Sequence, residues 1–309
     1  MRLTRLTRPA VVVAGLLLCT SCGTEQQGAG GGEATAPPVC GPGAHTPARD
    51  AAVPDVSASP AQDGVTVIGT GGGGSGASAR PCASYSVTSQ ETEPFTYVVT
   101  FGFLSETGQA LTNVEETLRA VAPGKTVRRT VTAVGIPSDA GGKVRVKVVR
   151  VRSFPTSEAP SEGGACPPAG VRVYADDGDA AMGLRVVGLH LENCGTRPYP
   201  LHGYPRVEIR DEERDLVGGV SIVRGGDAVA GSTGADGPPE RLVLKPGERA
   251  HAGLVWRNTV EAGDGDPVNA PYARVWAKPG AAPVTVVPEF DIGTTGKLGV
   301  GPWKKDDPR

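Results

Sequence analysis

The stretch Phe95-Thr96-Tyr97-Val98-Val99-Thr100-Phe101-Gly102-Phe103 decides the fold class. Its odd-numbered positions, Phe95, Tyr97, Val99, Phe101 and Phe103, are all large and apolar. A period of two places them on one face of an extended strand, with that face turned inward. Downstream, Ser105-Glu106-Thr107-Gly108 turns the chain. Val121-Ala122-Pro123-Gly124-Lys125 then carries type II turn chemistry: proline presets φ at the first central position and glycine accepts positive φ at the second. Residues 126–134 and 143–153 follow as strands.

The same texture extends in both directions. From Gly64 onward, short β-rich runs alternate with Gly/Pro turns about every ten residues, the signature of a β-sandwich. Past residues 156–164 it resumes near Cys166, with strands expected at 184–192, 206–210, 241–244, 250–256, 272–277 and 284–287. Leu244-Lys245-Pro246-Gly247-Glu248 repeats the turn signal of Pro123-Gly124. No amphipathic pattern sustains a helix beyond two turns. The expected architecture is all-β: two immunoglobulin-like β-sandwich domains in tandem, residues 63–155 and 166–303, joined by a linker at 156–165 and closed by a tail at 304–309.

Glycine and proline together make up 73 of the 309 residues, 45 plus 28, without a collagen-like period. The excess therefore belongs to turns and linkers. Residues 22–62 hold few large apolar side chains and cannot offset chain entropy, so they are expected to form a flexible tether. Ahead of them, Arg2, Arg5 and Arg8 precede an apolar run from Ala10 to Leu18. That run is far shorter than the roughly 20 residues a bilayer span needs, and the pattern is that of a secretory signal. It ends Leu18-Cys19-Thr20-Ser21-Cys22-Gly23, which resembles a bacterial lipobox. The resemblance implies cleavage after residue 21, lipidation of Cys22 with palmitate-type chains, and anchoring on the extracytoplasmic face of the cell membrane. Loss of residues 1–21 removes three arginines and no acid, taking the charge from 31 − 33 = −2 to 28 − 33 = −5. Such a balance argues against a bulk nucleic-acid partner.

Candidate chemistry is sparse. Gly69-Thr70-Gly71-Gly72-Gly73-Gly74 formally matches a dinucleotide fingerprint, but Ser75-Gly76-Ala77-Ser78-Ala79-Arg80-Pro81 gives no helix to receive a pyrophosphate, so a flexible loop is expected. His190, His202 and His251 fall at outward positions without metal-ligand spacing, and no metal or cofactor is expected. There is no G-x-S-x-G elbow, and paired carboxylates such as Asp176-Asp177-Gly178-Asp179, Asp211-Glu212-Glu213 and Asp264-Gly265-Asp266 sit in expected turns. Catalytic residues are accordingly not expected. The strongest charge pattern is Lys143-Val144-Arg145-Val146-Lys147-Val148-Val149-Arg150-Val151-Arg152. Lys143, Arg145 and Lys147 alternate with valine, the Val148-Val149 doublet breaks phase as a bulge would, and Arg150 and Arg152 return to the outward face. The expectation is either a solvated strand face protected by charge or a contact with an anionic envelope polymer or headgroup.

Residues 166–303 resemble a secreted family known as domain of unknown function 4232, found in exported proteins and lipoproteins of high-GC Gram-positive bacteria. The likeness is carried by Cys166, by Leu189-His190-Leu191-Glu192-Asn193 with Gly195, and by Leu201-His202-Gly203-Tyr204-Pro205. Leu244-Lys245-Pro246-Gly247, His251, Trp256-Arg257-Asn258 and Gly296-Lys297-Leu298-Gly299-Val300-Gly301-Pro302-Trp303 complete it. It implies an envelope-associated β-sandwich and brings no established reaction. The family's second cysteine usually precedes the Leu-x-Gly-Tyr-Pro element, where Tyr199 stands here, whereas this chain has Cys194. Residues 64–154 resemble immunoglobulin-like modules of the F-x-L-Y-D type through Tyr85-Ser86-Val87-Thr88, the strand beginning at Phe95, Gly108 and the Val121-Ala122-Pro123-Gly124-Lys125-Thr126-Val127 turn.

Four cysteines follow Cys22, and an exported chain favours their oxidation. Three pairings exist; sequence order favours Cys40–Cys82 and Cys166–Cys194. The functional expectation is a membrane-anchored, non-catalytic binding or scaffolding module of the cell envelope, with an envelope polymer or envelope protein as partner. The alternatives are an accessory subunit of an envelope transporter or sensor, and a secreted hydrolase.

Overall fold

The computed structural model describes residues 62–73, 80–136, 144–261 and 265–307. The expected signal segment, Cys22, the tether up to residue 61, Cys40 and Lys143 lie outside the described residues. The fold is all-β, built around two apolar cores.

The first core lies between two three-stranded antiparallel sheets. One has the order β1 (Val65–Gly73), β2 (Arg80–Thr88), β5 (Thr126–Thr132). The other has the order β4 (Ala110–Val121), β3 (Phe95–Leu104), β6 (Arg145–Pro155). Strand β3 is central in its sheet, and all five inward residues of the Phe95–Phe103 stretch are at most 5% exposed. They meet Val65, Tyr85, Val87 and Val131 of the facing sheet, with the Tyr85 and Phe101 rings 4.5 Å apart. The turn at Pro123-Gly124 closes as its chemistry requires: the Lys125 amide donates to the Ala122 carbonyl and Gly124 takes φ 66°. Two expectations change. Residues 69–73 are strand rather than loop, because β1 continues its ladder along β2 as far as Gly73 opposite Arg80. Strand β4, unannounced in the sequence, pairs along β3 although most of its side chains face solvent.

The second core is larger. Its main sheet has the order β12 (Ser221–Arg224), β19 (Lys297–Val300), β14 (Arg249–Arg257), β9 (Leu184–Glu192), β7 (Arg172–Ala175). Strand β8 (Asp179–Ala181) adds to β9, and β20 (Lys304–Lys305) adds to β14. A sheet of order β11 (Arg206–Arg210), β16 (Tyr272–Trp276), β17 (Val284–Val286) contributes to the same core. So do the pairs β10 (Tyr199–His202) with β13 (Arg241–Leu244) and β15 (Val268–Ala270) with β18 (Phe290–Gly293). The residues expected as tail begin instead as a strand: Lys304 and Lys305 pair with His251 and Ala250.

The two buried indoles and the buried Asn193 of this core are tied down. Trp256 and Trp303 are each 1% exposed, and each indole N–H finds an acceptor: Asp291 at 2.7 Å and the Ala277 carbonyl at 2.8 Å. Asn193, also 1% exposed, donates to the Arg197 and Leu244 carbonyls and accepts from the Gly195 amide. The Trp256, Asn258, Asn193 and Trp303 positions that carry the family likeness thus satisfy the interior rather than line a site. Cys166 and Cys194 form a disulfide with Cα atoms 5.6 Å apart, pinning the entry segment beside the end of β9. Cys82 is also held in a disulfide. Among the described residues no helix is long and apolar enough to cross a membrane.

Candidate functional site

The cation-rich strand β6 leads to a heavily charged contact between the two sandwiches. Thr100 pairs with Arg150 and Phe101 with Val148, so Val149 is the extra residue of a bulge, and it is 45% exposed. The phase break expected at Val148-Val149 is therefore real. It does not restore a free cationic face. Before the bulge, Arg145 and Lys147 are exposed, while Val146 is buried. Beyond it, Arg150 and Arg152 meet the second sandwich, and the Arg152 side chain is only 12% exposed. The five-cation stripe is thus corrected: Lys143 lies outside the described residues, Arg145 and Lys147 face solvent, and Arg150 and Arg152 are engaged by carboxylates.

Arg152 is held on three sides. Its Nε and Nη2 donate to the two oxygens of Glu289 at 2.7 and 2.8 Å, and Nη1 donates to Glu212 at 2.8 Å. Such a fork fixes orientation as well as charge. Burial alone would lower the Arg152 pKa. The Glu289 hydrogen bonds and the charges of Glu289 and Glu212 outweigh it and hold the guanidinium above its ordinary value. Arg150 reaches Glu289 as well, at 3.3 Å.

A reciprocal arginine comes from the second sandwich. Arg214 donates to Glu91 at 2.6 Å and to the Ser153 hydroxyl at 3.1 Å, and its guanidinium lies 4.9 Å from the centre of the Phe95 ring. Beside it the buried Ser153 amide donates to the Tyr272 hydroxyl. The connector is fastened too. It forms a single 3₁₀ turn, Thr156–Glu158, whose Glu158 accepts from Arg274 in a second fork and from the Thr285 hydroxyl. The expected linker is therefore anchored on β16 and β17.

Two of these residues occupy backbone that side chains avoid. Arg214 has φ 69° and Glu289 has φ 52°. Arg214 ends the turn in which its own amide donates to the Asp211 carbonyl, and Asp215 is capped by the Asp211 side chain. Glycine would take such a left-handed position without strain. Both positions instead carry a long charged side chain that reaches the other sandwich. Local strain of order 1 kcal/mol at each is held in place by the ion pairs.

Next to this joint lies a cleft of about 540 Å³, with Arg119, Arg150 and Glu115 on the first sandwich and Tyr174, Asp176 and Glu289 on the second. Its walls carry both signs. Asp176 is committed locally, accepting from the Gly178 and Gly188 amides and meeting His190 Nε2 at 2.9 Å.

The histidines do not converge. His190 and His251 sit opposite each other on β9 and β14, and each has its own carboxylate: Asp176 for His190, and Asp306 at 2.6 Å for His251. His202 is exposed on β10, in another sheet. Among the described residues no group of three or more His, Cys, Asp or Glu is placed to hold a metal ion. Of the expected disulfides, Cys166–Cys194 is formed; the Cys40 half of the other lies outside the described residues.

Sequence reasoning missed Glu91, Glu212, Arg214 and Glu289. The one signal available was Asp211-Glu212-Glu213, whose acids resemble any solvated turn until β6 is laid against them.

Residues 166–304 match the model of a family described as domain of unknown function (DUF4232). No curated protein matches the chain.

Proposed function

We propose that this chain, whose C-terminal sandwich is a DUF4232 domain, is a membrane-anchored extracytoplasmic lipoprotein that works as a non-catalytic binding or scaffolding module of the cell envelope. The observation that most supports the scaffold reading is the joint between the sandwiches. Two left-handed positions, Arg214 and Glu289, two bidentate arginine–carboxylate forks and a pinned connector tie the two small cores together. A joint between independently tethered modules would be smaller and more mobile.

The anchor rests on the lipobox at Cys22. One lipid-bearing cysteine and a Gly/Ala/Pro-rich segment of about 40 residues would let this body work some distance from the bilayer. Polymer contact through β6 contracts to Arg145 and Lys147, the cations of that strand that remain in solvent. The test is cell fractionation of the full chain against Cys22→Ala. The reading expects wild type in the membrane fraction with an acyl label, and the variant released without it. A variant that stays labelled in the membrane would overturn the anchor.

A further inference from the structure

A second concavity, about 580 Å³, lies far along the chain from the joint residues of β6 and belongs wholly to the C-terminal sandwich. It opens where two sheet edges part. Strand β12 is the outer strand of the main sheet, and β11 is the outer strand of the sheet formed with β16 and β17. Four separate segments supply its walls: Tyr204 before β11 with Arg206 on it, Ile222 and Arg224 on β12, Trp276 ending β16 with Lys278 just after, and Val300 at the end of β19.

The charge of these walls has one sign. Arg206, Arg224 and Lys278 line the concavity, and no carboxylate does. Each cation is positioned by an aromatic ring: Arg206 lies 4.5 Å from the Trp276 ring centre, Arg224 5.6 Å from Tyr204, and Lys278 3.6 Å from Tyr199. Stacking on a ring orients a cation without neutralising it. The Arg224 guanidinium keeps its in-plane N–H groups clear of any carboxylate among the described residues, whereas Arg206 gives Nη2 to Glu208 and Lys278 gives one N–H to the Pro200 carbonyl at 3.1 Å. Among the described residues, Arg224 and Lys278 make no ion pair, and Arg206 shares Glu208 with Arg210. Burial already holds the Lys278 ammonium below its ordinary value. On a protein of net negative charge, two cations without an ion pair and a third shared with Glu208 stand around a hollow that no carboxylate lines, which offers an anion its counter-charge. Its volume suits a ligand of several rings' bulk rather than a small inorganic ion. Ile222, 43% exposed, supplies an apolar floor for the uncharged part of such a ligand.

We propose that this seam binds an acidic glycan, whose carboxylate or phosphodiester groups are taken by Arg206, Arg224 and Lys278 while the intervening sugar lies on Ile222 and the Trp276 edge. A flat bilayer does not enter a concave seam between sheet edges, so a headgroup surface fits it poorly. The choice of glycan over acidic peptide rests on the envelope location proposed above.

The protein carries its own reporter. Trp256 and Trp303 are buried, and Trp276 lines the seam. Fluorescence titration of the purified full chain would use polygalacturonate for carboxylates, phosphomannan for phosphodiesters, and neutral dextran, polyglutamate and phosphatidylglycerol vesicles as comparisons. The expected result is saturable perturbation of Trp276 by at least one acidic glycan, weakened by salt. The glycan that saturates first identifies the acid group. Loss of each cation should weaken binding by about tenfold, as for one charge-assisted hydrogen bond, so Arg224→Ala/Lys278→Ala should abolish it within the accessible range. Lys125→Ala/Arg128→Ala, which removes two exposed cations of the first sandwich that belong to neither the seam nor β6, should leave it unchanged. Trp276→Phe should remove the signal but not binding followed by cosedimentation. Equal binding by the Arg224/Lys278 variant, equal response to dextran, or a response only to polyglutamate or vesicles would overturn the seam. Loss of binding in an Arg145→Ala/Lys147→Ala variant while Arg224→Ala/Lys278→Ala still binds would overturn the seam and leave β6 as the polymer contact. Because binding is measured on purified protein, its failure leaves the Cys22 anchor standing, and failure of the anchor leaves the seam standing.

Discussion

Replacing Arg152 with methionine tests whether the two sandwiches are one cooperative body. Methionine keeps the stem's apolar packing and removes the guanidinium. The change deletes two hydrogen bonds to Glu289 and one to Glu212. Charge-assisted bonds contribute about 1.5–3 kcal/mol each in partly buried sites, but not additively. Glu212 is 61% exposed, so its share is discounted to about 0–1 kcal/mol. Glu289 is 34% exposed and keeps Arg150 at 3.3 Å, so it is neither wholly buried nor wholly abandoned. The expected loss is about 2–3 kcal/mol, below the 3–5 typical of a fully buried pair. Crossing Arg152→Met with Glu289→Gln should return a coupling of roughly 1–2 kcal/mol. The readout follows from where the tryptophans lie. All three, Trp256, Trp276 and Trp303, belong to the second sandwich. Urea unfolding followed by tryptophan emission therefore reports that core, whereas far-ultraviolet circular dichroism reports both. Wild type should give coincident curves. Arg152→Met combined with Arg214→Met should separate them, the first sandwich melting earlier. Unchanged midpoints and coincident curves in the double variant would refute the reasoning, because the ion pairs would then add nothing to the joint.

Four further outcomes are expected. Phe101→Ala, at a position 0% exposed and packed on Tyr85, should cost about 3–5 kcal/mol in urea unfolding; a shift under about 1 kcal/mol would mean that face does not form the core. The Tyr85 hydroxyl is buried and has no hydrogen-bond partner among the described residues, so Tyr85→Phe should stabilise the protein by about 1 kcal/mol, and a clear loss in thermal melts would reveal a partner. Cys194→Ser opens a loop of 28 residues and should cost about 3–4 kcal/mol, provided peptide mapping of the non-reduced protein shows Cys166–Cys194 in wild type. Burial raises the Glu208 pKa, but the hydrogen bond and charge of Arg210, with those of Arg206, outweigh it and leave it below the usual carboxylate value. Its stabilisation is therefore present above the unfolded carboxylate pKa and lost as pH falls through the lowered one. Glu208→Gln should be less stable than wild type at neutral pH, with the gap closing in acid; a gap that persists at low pH would argue against the ion pairs.

The sequence alone determined the properties that depend on neighbours along the chain. Alternation fixed the inward face of Phe95 to Phe103, because side-chain direction in a strand depends only on residue parity. Pro123-Gly124 and Pro246-Gly247 fixed their turns, because proline and glycine restrict φ wherever they stand, and both glycines have positive φ. The Val148-Val149 doublet marked its bulge for the same reason. Tertiary structure decided what the outward face does. Nothing local distinguishes Arg152 from Arg145, yet one is gripped by Glu289 and Glu212, 137 and 60 residues away, and the other faces solvent. Asp211-Glu212-Glu213 resembled a plain turn because its partner strand is absent from its own neighbourhood. Strand β4 escaped notice because Thr112 and Glu116 interrupt the inward face through which Val114 and Leu118 reach the core. The seam, which no carboxylate lines, draws on four segments between Tyr204 and Val300. A periodic pattern records which way a residue points, whereas a site records what the folded chain places opposite it, and that depends on sheet pairing and core packing at long sequence separation.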